Sequence, residues 1–398
     1  MVQQKLLITN SKIYTEHGEI NNGFIKIEYG KITEVDVMEN LITNTDEFDV
    51  IELPSNYHVI PGMIDVHIHG VHGVDAMDAT VEALDTMTTT LPQEGTTSFL
   101  ATTMTQAPTL IEKALVNTAD YMNKHQTGGK SEILGIHLEG PFINGNKAGA
   151  QPLEHIIDPN LDLFKKWQMR ADGNIKLVTL APEQPGGLEF IKYLDENGVV
   201  ASIGHSNATY DQVNEAIKAG VTHITHLFNQ MSGLHHREPG IVGAALLNDK
   251  LMVEMIADGI HVRPEMIQIA LKQKSADQLL IITDSMRAKC LKNGTYDLGG
   301  QKVSVQNDTA TLTDGTLAGS VLKMNQAFKN MLTYTNCSIK QGVQMASENP
   351  AKQLNVFDRK GSITVGKDAD LVVLDENLDV SSTFCRGNLA FKRGVDSE

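Results

Sequence analysis

The chain contains little cysteine and no long apolar run. Its three cysteines, Cys290, Cys337 and Cys385, lie far apart, which argues against a disulfide framework or a zinc finger. No apolar run approaches the roughly 20 residues that span a bilayer, and the N-terminal segment lacks the long apolar core of a signal peptide. We therefore expect a cytoplasmic protein without a membrane partner.

Positive charge is also scarce. Lysine and arginine number 33 against 49 aspartates and glutamates, which gives a net charge of −16. This balance argues against nucleic acid as a partner, and it repels an anionic substrate at long range. An anionic substrate would therefore need a local basic pocket.

Most of the chain alternates short apolar runs with amphipathic stretches, which is the rhythm of strand–helix units. Eight apolar runs cover residues 59–66, 97–102, 133–138, 175–180, 199–203, 223–227, 251–256 and 279–283. Helical candidates lie between them, for example at residues 109–123, 210–219 and 264–274. Eight such units predict a (β/α)8 TIM barrel, whose active site lies at the C-terminal ends of its strands.

Both ends of the chain show strand patterning instead. The first 55 or so residues read as short strands with glycine at a turn, and residues 361–374 return to the same pattern. We therefore predict a small β-sandwich domain from residues 1–57 and 357–398, and a catalytic barrel at residues 58–356. Two separate flexible ends are the alternative, but both ends are apolar enough to pair. A further hairpin is predicted where residues 302–305 and 309–312 flank Asn307 and Asp308.

Five residues that could bind metal lie at the ends of separate apolar runs. Residues i and i+2 of a strand point to the same side, so the two histidines of a His-x-His pair can face one metal. Such a pair is a weak signal alone, and a carboxylate at a strand end can simply be a surface group. Imidazole and carboxylate together suit Zn²⁺, Fe²⁺ or Mn²⁺. The candidates are His67, His69, Glu139, His205 and His226, whereas His223 is predicted to be structural.

Asp284 ends the eighth run and is predicted to have another role. Hydrolysis at a metal centre needs a group that takes a proton from water and hands it to the leaving amine. A carboxylate at the end of the eighth strand can do both. The alternatives are a sixth metal ligand, or a helix N-cap together with Ser285.

These motifs resemble those of the N-acetylglucosamine-6-phosphate deacetylases of the amidohydrolase superfamily, and the resemblance covers nearly the whole chain. It rests on an ordered set of segments, of which His-Leu-Glu-Gly-Pro-Phe at 137–142 is the most distinctive. The others are Pro-Gly-Met-Ile-Asp-Val-His-Ile-His-Gly at 61–70, Gly-His-Ser-Asn at 204–207, His-Ile-Thr-His-Leu-Phe-Asn-Gln-Met at 223–231, Arg-Glu-Pro-Gly at 237–240, Ile-Ala-Asp-Gly-Ile-His-Val at 256–262, Thr-Asp at 283–284 and Leu-Ala-Gly-Ser at 317–320.

The resemblance implies a role for each candidate ligand. Glu139, His205 and His226 would hold the principal metal, and His67 and His69 would hold a second one with Glu139 bridging. Some relatives lack the His-x-His pair and work with one metal. One or two divalent ions per subunit are therefore expected, Zn²⁺ or Fe²⁺ before Mn²⁺. Asp284 matches the general acid/base of the family.

The resemblance also implies a substrate site and a homodimer. His261 would contact the substrate and polarise the acetamide carbonyl, so it counts with Asp284 as catalytic, while Arg237 would bind phosphate. The remaining substrate contacts would come from Ala150, Asn229, Gln230, Leu317, Ala318 and Gly319. His235, His236, Arg237 and Arg263 would form the local cationic patch, although His235 and His236 can equally belong to an exposed polar loop. Some relatives have histidine where this chain has Gln151, so a substrate contact there can be absent or changed.

The function expected from these features is hydrolysis of N-acetyl-D-glucosamine 6-phosphate to D-glucosamine 6-phosphate and acetate, in amino-sugar catabolism. A phosphorylated amino sugar would be its small-molecule partner. Two other functions stay open. One is another amidohydrolase activity, on an N-acyl amino acid or a cyclic amide. The other is a non-catalytic sugar-phosphate-binding scaffold, which would not need the ligands and the acid/base together.

Overall fold

The computed structural model describes residues 5–42 and 45–394. Its N-terminal part is a run of strands in which β1 pairs antiparallel with β2, and β2 with β3. On its other side, β1 pairs parallel with β4 along its first half and with β5 near its end. These strands are β1 (Leu6–Thr15), β2 (Gly18–Glu28), β3 (Lys31–Val37), β4 (Asp49–Glu52) and β5 (His58–Pro61).

Eight parallel strands then form the barrel, with a short hairpin after the first of them. Every residue in the first three of these strands is buried, as expected for strands covered by helices on the outside and side chains within. The strands are β6 (Met63–Ile68), the hairpin β7 (Gly70–Val71) and β8 (Val74–Asp75), β9 (Thr96–Thr103), β10 (Glu132–Glu139), β11 (Ile175–Leu180), β12 (Val200–Ile203), β13 (His223–Ile224), β14 (Met252–Ile256) and β15 (Leu279–Ile282).

Helices connect the barrel strands, and some of them begin at a residue whose side chain caps the helix. Thr209, for example, accepts from the backbone N–H of Gln212, and the Gln212 side chain accepts from the backbone N–H of Thr209. None of the helices in the described residues is long and apolar enough to cross a membrane. The helices are α1 (Val81–Thr90), α2 (Pro108–Lys124), α3 (Leu161–Arg170), α4 (Gly187–Glu196), α5 (Tyr210–Ala219), α6 (Gly240–Leu247), α7 (Pro264–Lys274), α8 (Met324–Thr335), α9 (Ile339–Val343) and α10 (Asn349–Gln353), with a π-helical turn at Gln344–Glu348.

A three-stranded antiparallel sheet follows the last barrel strand. The predicted hairpin is its second and third strands, and the first strand was not foreseen from the sequence. Its apolar side chains pack with Met104 and Ala150, beside the C-terminal ends of the barrel strands. The strands are β16 (Gly294–Leu298), β17 (Gln301–Gln306) and β18 (Thr309–Thr311).

The C-terminal strands complete the sheet begun at the N-terminus. They are β19 (Leu371–Leu374), β20 (Val380–Cys385) and β21 (Asn388–Lys392). β19 pairs antiparallel with β5, so the strand order is β21-β20-β19-β5-β1-β2-β3. The predicted fold class, a barrel with a small β domain built from both termini, is confirmed. The residue bounds of the two domains stay predictions.

The first predicted strand is divided at Gly62. Residues 58–61 belong to the terminal sheet as β5, and residues 63–68 to the barrel as β6. A Cβ atom at Gly62 would lie 2.0 Å from Thr97 Oγ1, so the chain can cross between the two sheets here only with glycine. This break could not be predicted, because residues 59–66 form one continuous apolar run.

The barrel closes between β6 and β15 through side chains and single bridges. Asp65 Oδ2 accepts from Thr283 Oγ1 at 2.5 Å, and the backbone N–H of Asp284 donates to the His67 carbonyl at 2.8 Å. Ile68 and Ser285 form an isolated parallel bridge just beyond. The closure therefore brings His67 and Asp284 side by side at the C-terminal end of the barrel.

Candidate active site

A cavity of about 290 Å³ opens at the C-terminal ends of the barrel strands, close to the lower limit of roughly 300 Å³ for small-molecule sites. Most of the predicted site residues line it: His69, Glu139, Ala150, His205, His226, Asn229, Gln230, His261, Asp284, Leu317 and Gly319. His67 is fully buried directly behind Glu139, and Ala318 is buried in the cluster under the three-stranded sheet.

Glu139, at the end of β10, is the centre of the polar cluster. Its Oε1 lies 3.3, 3.2 and 3.3 Å from the Nε2 atoms of His67, His205 and His226. Its Oε2 lies 3.2 Å from His69 Nε2. One carboxylate is thus shared by four imidazoles that come from three different parts of the chain.

The donor set fits a divalent metal. The Nε2 atoms of His205 and His226 lie 3.1 Å apart, and His67 Nε2 is buried without a hydrogen-bond partner, as expected of nitrogens that face a cation. Two groups of predicted ligands have ligand atoms that all lie within 4.8 Å of one another, namely His67, His69 and Glu139, and Glu139, His205 and His226. His67, His137 and Glu254 meet the same distance limit. His223 lies outside both groups, and its Nε2 faces Glu254 Oε1 at 3.2 Å.

The carboxylates of the cluster favour protonation of a histidine that a cation could bind instead. Burial lowers the pKa of His69, but its contacts with Asp284 and Glu139 outweigh burial and raise that pKa to about 10. Burial raises the pKa of Glu139, yet His67, His205 and His226 bring it well below its ordinary value. Binding of a divalent ion would displace protons from these imidazoles, as metal sites require.

Four of the predicted site residues other than glycine have left-handed backbone conformations, which non-glycine residues rarely adopt. The φ angles are +47° at His205, +30° at His226, +47° at Gln230 and +46° at Asp284. Such strain concentrates at functional sites, where the surrounding structure maintains it. The adjacent Gly204 leaves the room that His205 needs, since a Cβ there would lie 2.7 Å from Thr225 Cβ.

Gln151 contacts the central carboxylate. Its Nε2 donates to Glu139 Oε2 at 2.8 Å, and its Oε1 accepts from the backbone N–H of Thr105 at 2.8 Å. The side chain is buried at 4% exposure. Gln151 therefore orients Glu139, whereas the sequence predicted only an absent or changed substrate contact at this position.

His261 is oriented by Asp258, which the sequence reasoning did not single out. His261 Nδ1 lies 2.6 Å from Asp258 Oδ2, and Asp258 Oδ1 accepts from the backbone N–H groups of Ile260 and His261 at 2.8 Å. Burial lowers the pKa of His261, but the hydrogen bond to Asp258 raises it above its ordinary value. With Nδ1 paired to the carboxylate, Nε2 is left as the nitrogen that can meet a ligand.

The predicted cationic patch does not lie in the cavity of this chain. Among the described residues that line the cavity, none is a lysine or arginine. Arg237 is exposed and contacts His236 Nε2 at 2.8 Å, and Arg263 is exposed and pairs with Glu265. The contact of Arg237 with phosphate therefore stays a prediction.

Comparison with known proteins agrees with the motifs. Residues 58–390 match the family model of the amidohydrolase family. The chain is 49% identical to N-acetylglucosamine-6-phosphate deacetylase of Bacillus subtilis (strain 168), over 98% of each protein. Among solved structures, it resembles N-acetylglucosamine-6-phosphate deacetylase from Thermotoga maritima at 36% identity and a TM-score of 0.87, over 97% of this chain and 100% of the other.

A second solved structure carries a ligand. It is a mutant N-acetyl-D-glucosamine-6-phosphate deacetylase from Mycobacterium smegmatis in complex with N-acetyl-D-glucosamine-6-phosphate, 30% identical at a TM-score of 0.91 over 98% of this chain and 100% of that one. The resemblance seen in the sequence motifs is therefore confirmed. On both the family model and these relatives, the chain belongs to the amidohydrolase family.

Proposed function

We propose that this chain is a metal-dependent deacetylase that hydrolyses N-acetyl-D-glucosamine 6-phosphate to D-glucosamine 6-phosphate and acetate. The observation that carries the proposal is the convergence of four histidine Nε2 atoms on Glu139, with Asp284 beside two of them, at a cavity of about 290 Å³. The names of the similar proteins specify the sugar phosphate.

Glu139, His205 and His226 would hold the principal ion, and His67 and His69 the second. Nitrogen and oxygen donors without a cysteine suit Zn²⁺ or Fe²⁺, with Mn²⁺ as a further candidate. The bound cation would polarise the acetamide carbonyl and lower the pKa of the attacking water.

The residues of the chain supply the proton transfers and the orientation. Asp284 Oδ1 lies 3.4 and 3.3 Å from the Nε2 atoms of His67 and His69, so it is placed to take a proton from water beside these ligands. It would then deliver that proton to the departing amine. His261, with Nδ1 engaged by Asp258, would donate from Nε2 to the oxygen of the acetamide as charge develops on it.

The rest of the substrate site is proposed in the same way. Asn229 and Gln230 line the cavity beside His226, where they would meet the sugar phosphate. Arg237 would bind phosphate, and a homodimer in the cytoplasm is the expected form of the enzyme. The three cysteines are free, in agreement with a reducing compartment.

The test is acetate release from N-acetylglucosamine 6-phosphate by enzyme stripped with a chelator and titrated with Zn²⁺, Fe²⁺ and Mn²⁺ separately. We expect no release from the stripped enzyme and recovery with at least one ion. Unphosphorylated N-acetylglucosamine and an N-acetyl amino acid serve as substrate controls. Full release by the stripped enzyme, or equal rates on all three substrates, would refute the proposal.

A further inference from the structure

Glu254 is a fully buried carboxylate in β14, behind the metal ligands and away from the cavity. None of the predicted roles includes it. A buried charge is costly unless it is fully paired, so its contacts show what maintains it.

One oxygen of Glu254 contacts a ligand from each of the two metal-binding groups. Oε2 lies 3.0 Å from His67 Nδ1 and accepts from the backbone N–H of His226 at 3.0 Å. The other oxygen, Oε1, lies 3.2 Å from His223 Nε2. The carboxylate therefore connects β6, which carries His67, with the turn after β13, which carries His226.

The contact with His67 determines which ring nitrogen faces the metal-binding group. Oε2 already accepts from the His226 N–H and is an acceptor toward His67 as well, so Nδ1 keeps its proton and Nε2 is the nitrogen that gives up its proton to bind a cation. That Nε2 lies 3.3 Å from Glu139 Oε1 and 3.4 Å from Asp284 Oδ1. In the opposite tautomer Nε2 would carry a proton and could not bind a cation.

The contact with His226 acts on the backbone. His226 has a φ of +30°, a strained conformation that must be maintained by its surroundings. The hydrogen bond from its N–H to Glu254 is such a restraint, and it fixes the position from which the ring reaches Glu139 Oε1 at 3.3 Å.

His137 also lies beside His67, but both of its ring nitrogens have other partners, so it does not form a further metal site with Glu254. Its ring packs edge-on against His67 at 4.5 Å. Its Nδ1 lies 3.1 Å from the Val66 carbonyl and its Nε2 2.7 Å from Thr179 Oγ1, so both nitrogens are already engaged. Burial lowers the pKa of His137 to about 3, which leaves it neutral.

We propose that Glu254 is a positioning residue that orients both halves of the metal centre, selecting the tautomer of His67 and restraining the backbone of His226. The proposal rests on the ligand assignment of the proposed function. Carboxylates behind metal-binding histidines commonly change metal affinity by 10–100-fold when they are replaced. The effect is therefore on metal binding first, and on turnover through it.

The test measures metal affinity by competition with a chelator and metal content by elemental analysis, with Zn²⁺ as the probe. Glu254→Gln keeps the size of the side chain but removes its charge. We expect the dissociation constant for Zn²⁺ to rise roughly 10–100-fold. The matched control is Glu265→Gln, an exposed glutamate at the start of α7 that pairs with Arg263, which should keep the affinity of the wild type.

A purely structural role would destabilise the metal-free protein and leave the affinity of folded molecules unchanged. Thermal unfolding of the metal-free variants is therefore measured alongside, and wild-type affinity in folded Glu254→Gln would overturn the proposal. If that variant does not fold, Glu254→Asp carries the test. It keeps the charge but ends one methylene short of His67 and His226, so weakened Zn²⁺ binding is expected and unchanged binding would overturn the proposal.

The same measurements separate this inference from the proposed function. Wild-type protein that binds Zn²⁺ but releases no acetate would refute the deacetylase and leave the role of Glu254 intact. Wild-type protein without any bound metal would overturn the ligand assignment and the role of Glu254 together.

Discussion

Asp284 has two possible roles, proton carrier and metal ligand. Its carboxylate lies 3.4 and 3.3 Å from the Nε2 atoms of His67 and His69, and it is 9% exposed at the cavity wall. Burial raises its pKa, but the charge of His67 and the hydrogen bond with His69 bring the pKa below its ordinary value. It is therefore an ionised base that is ready to accept a proton at neutral pH.

We predict that Asp284→Asn lowers kcat by about 10²- to 10⁴-fold, because an amide cannot accept the proton, while metal content is retained. Steady-state acetate release and elemental analysis measure the two quantities. Asp277→Asn, an exposed aspartate just before β15, is the control and should leave both unchanged. Near-normal turnover would refute the assignment, and loss of metal would indicate a ligand instead.

The identities of the site residues could be proposed from the sequence, but their contacts could not. His67, Glu139 and Asp284 follow from histidine and carboxylate at the ends of apolar runs. The roles of Gln151 and Glu254 could not be recognised, because each acts through a contact that only the folded chain makes. Gln151 donates to Glu139, and Glu254 lies 187 residues from His67. Folding brings both pairs within 3 Å or so of each other.

At the level of elements, strand number and order were predictable because each barrel strand is a short apolar run. Two features could not be predicted, the break at Gly62 and strand β16. The break at Gly62 lies inside a continuous apolar run and depends on the close approach of Thr97. Strand β16 is mostly exposed and has a single buried residue, Leu298, so its sequence signal is weak.

Helix α7 ends in an unusual lysine. Lys274 is fully buried and donates to the Asn248 carbonyl at 2.6 Å, at the C-terminal cap of α6. Burial lowers its pKa from 10.5 to about 8. Between these values the unfolded chain binds more protons than the folded one, so this residue makes the free energy of unfolding rise with pH from about 8 to 10.5.

We predict that Lys274→Met abolishes this rise, which amounts to at most about 3.4 kcal/mol. At neutral pH the variant should be at least as stable as wild type, since the Asn248 carbonyl also accepts from the Leu251 N–H. Urea unfolding at several pH values between 7 and 10 measures the difference. Lys272→Met, an exposed position on the same helix, is the control. A wild-type slope in Lys274→Met would contradict the assignment.

In the whole molecule, the two ends of the chain are held to the barrel by a buried charge cluster. Lys360 is 1% exposed, and its Nζ lies 2.7 Å from Glu132 Oε2 and 3.3 Å from Asp368 Oδ2, with Asp370 also in contact. Arg359 pairs with Glu132 and Asp368 at 2.8 and 2.9 Å. Glu132 begins β10, whereas the two aspartates lead into β19, so the cluster joins the barrel to the terminal sheet.

This charge cluster lies far from the candidate active site. Glu132 and Glu139 are the two ends of β10, which places them roughly 23 Å apart along a strand. The cluster is therefore at the N-terminal end of the barrel. Residues at this end of a TIM barrel contribute to stability, whereas catalytic residues lie at the C-terminal end. A substitution in this cluster is therefore expected to change the free energy of unfolding without changing kcat.

We predict that Lys360→Met lowers the free energy of unfolding by about 3–5 kcal/mol at pH 7, because it leaves Glu132, Asp368 and Asp370 buried around a missing cation. In the wild type, Lys360 and Arg359 bring the pKa of Glu132 below 4.5 against the opposing effect of burial, so its stabilisation is present above that pH and is lost as the pH falls. In the variant the clustered carboxylates keep Arg359 but lose Lys360, so protonation relieves part of their repulsion, and the deficit should shrink from pH 7 to pH 5.

Urea unfolding at both pH values checks this, with kcat measured on the folded protein. Lys352→Met is the control, because its pair with Glu348 at 3.2 Å is half-exposed and should contribute under about 1 kcal/mol. We expect kcat of folded Lys360→Met to match wild type. A loss in the range of the control would show that the terminal sheet is held by apolar packing alone. A lowered kcat in fully folded protein would mean instead that the strain reaches Glu139 along β10.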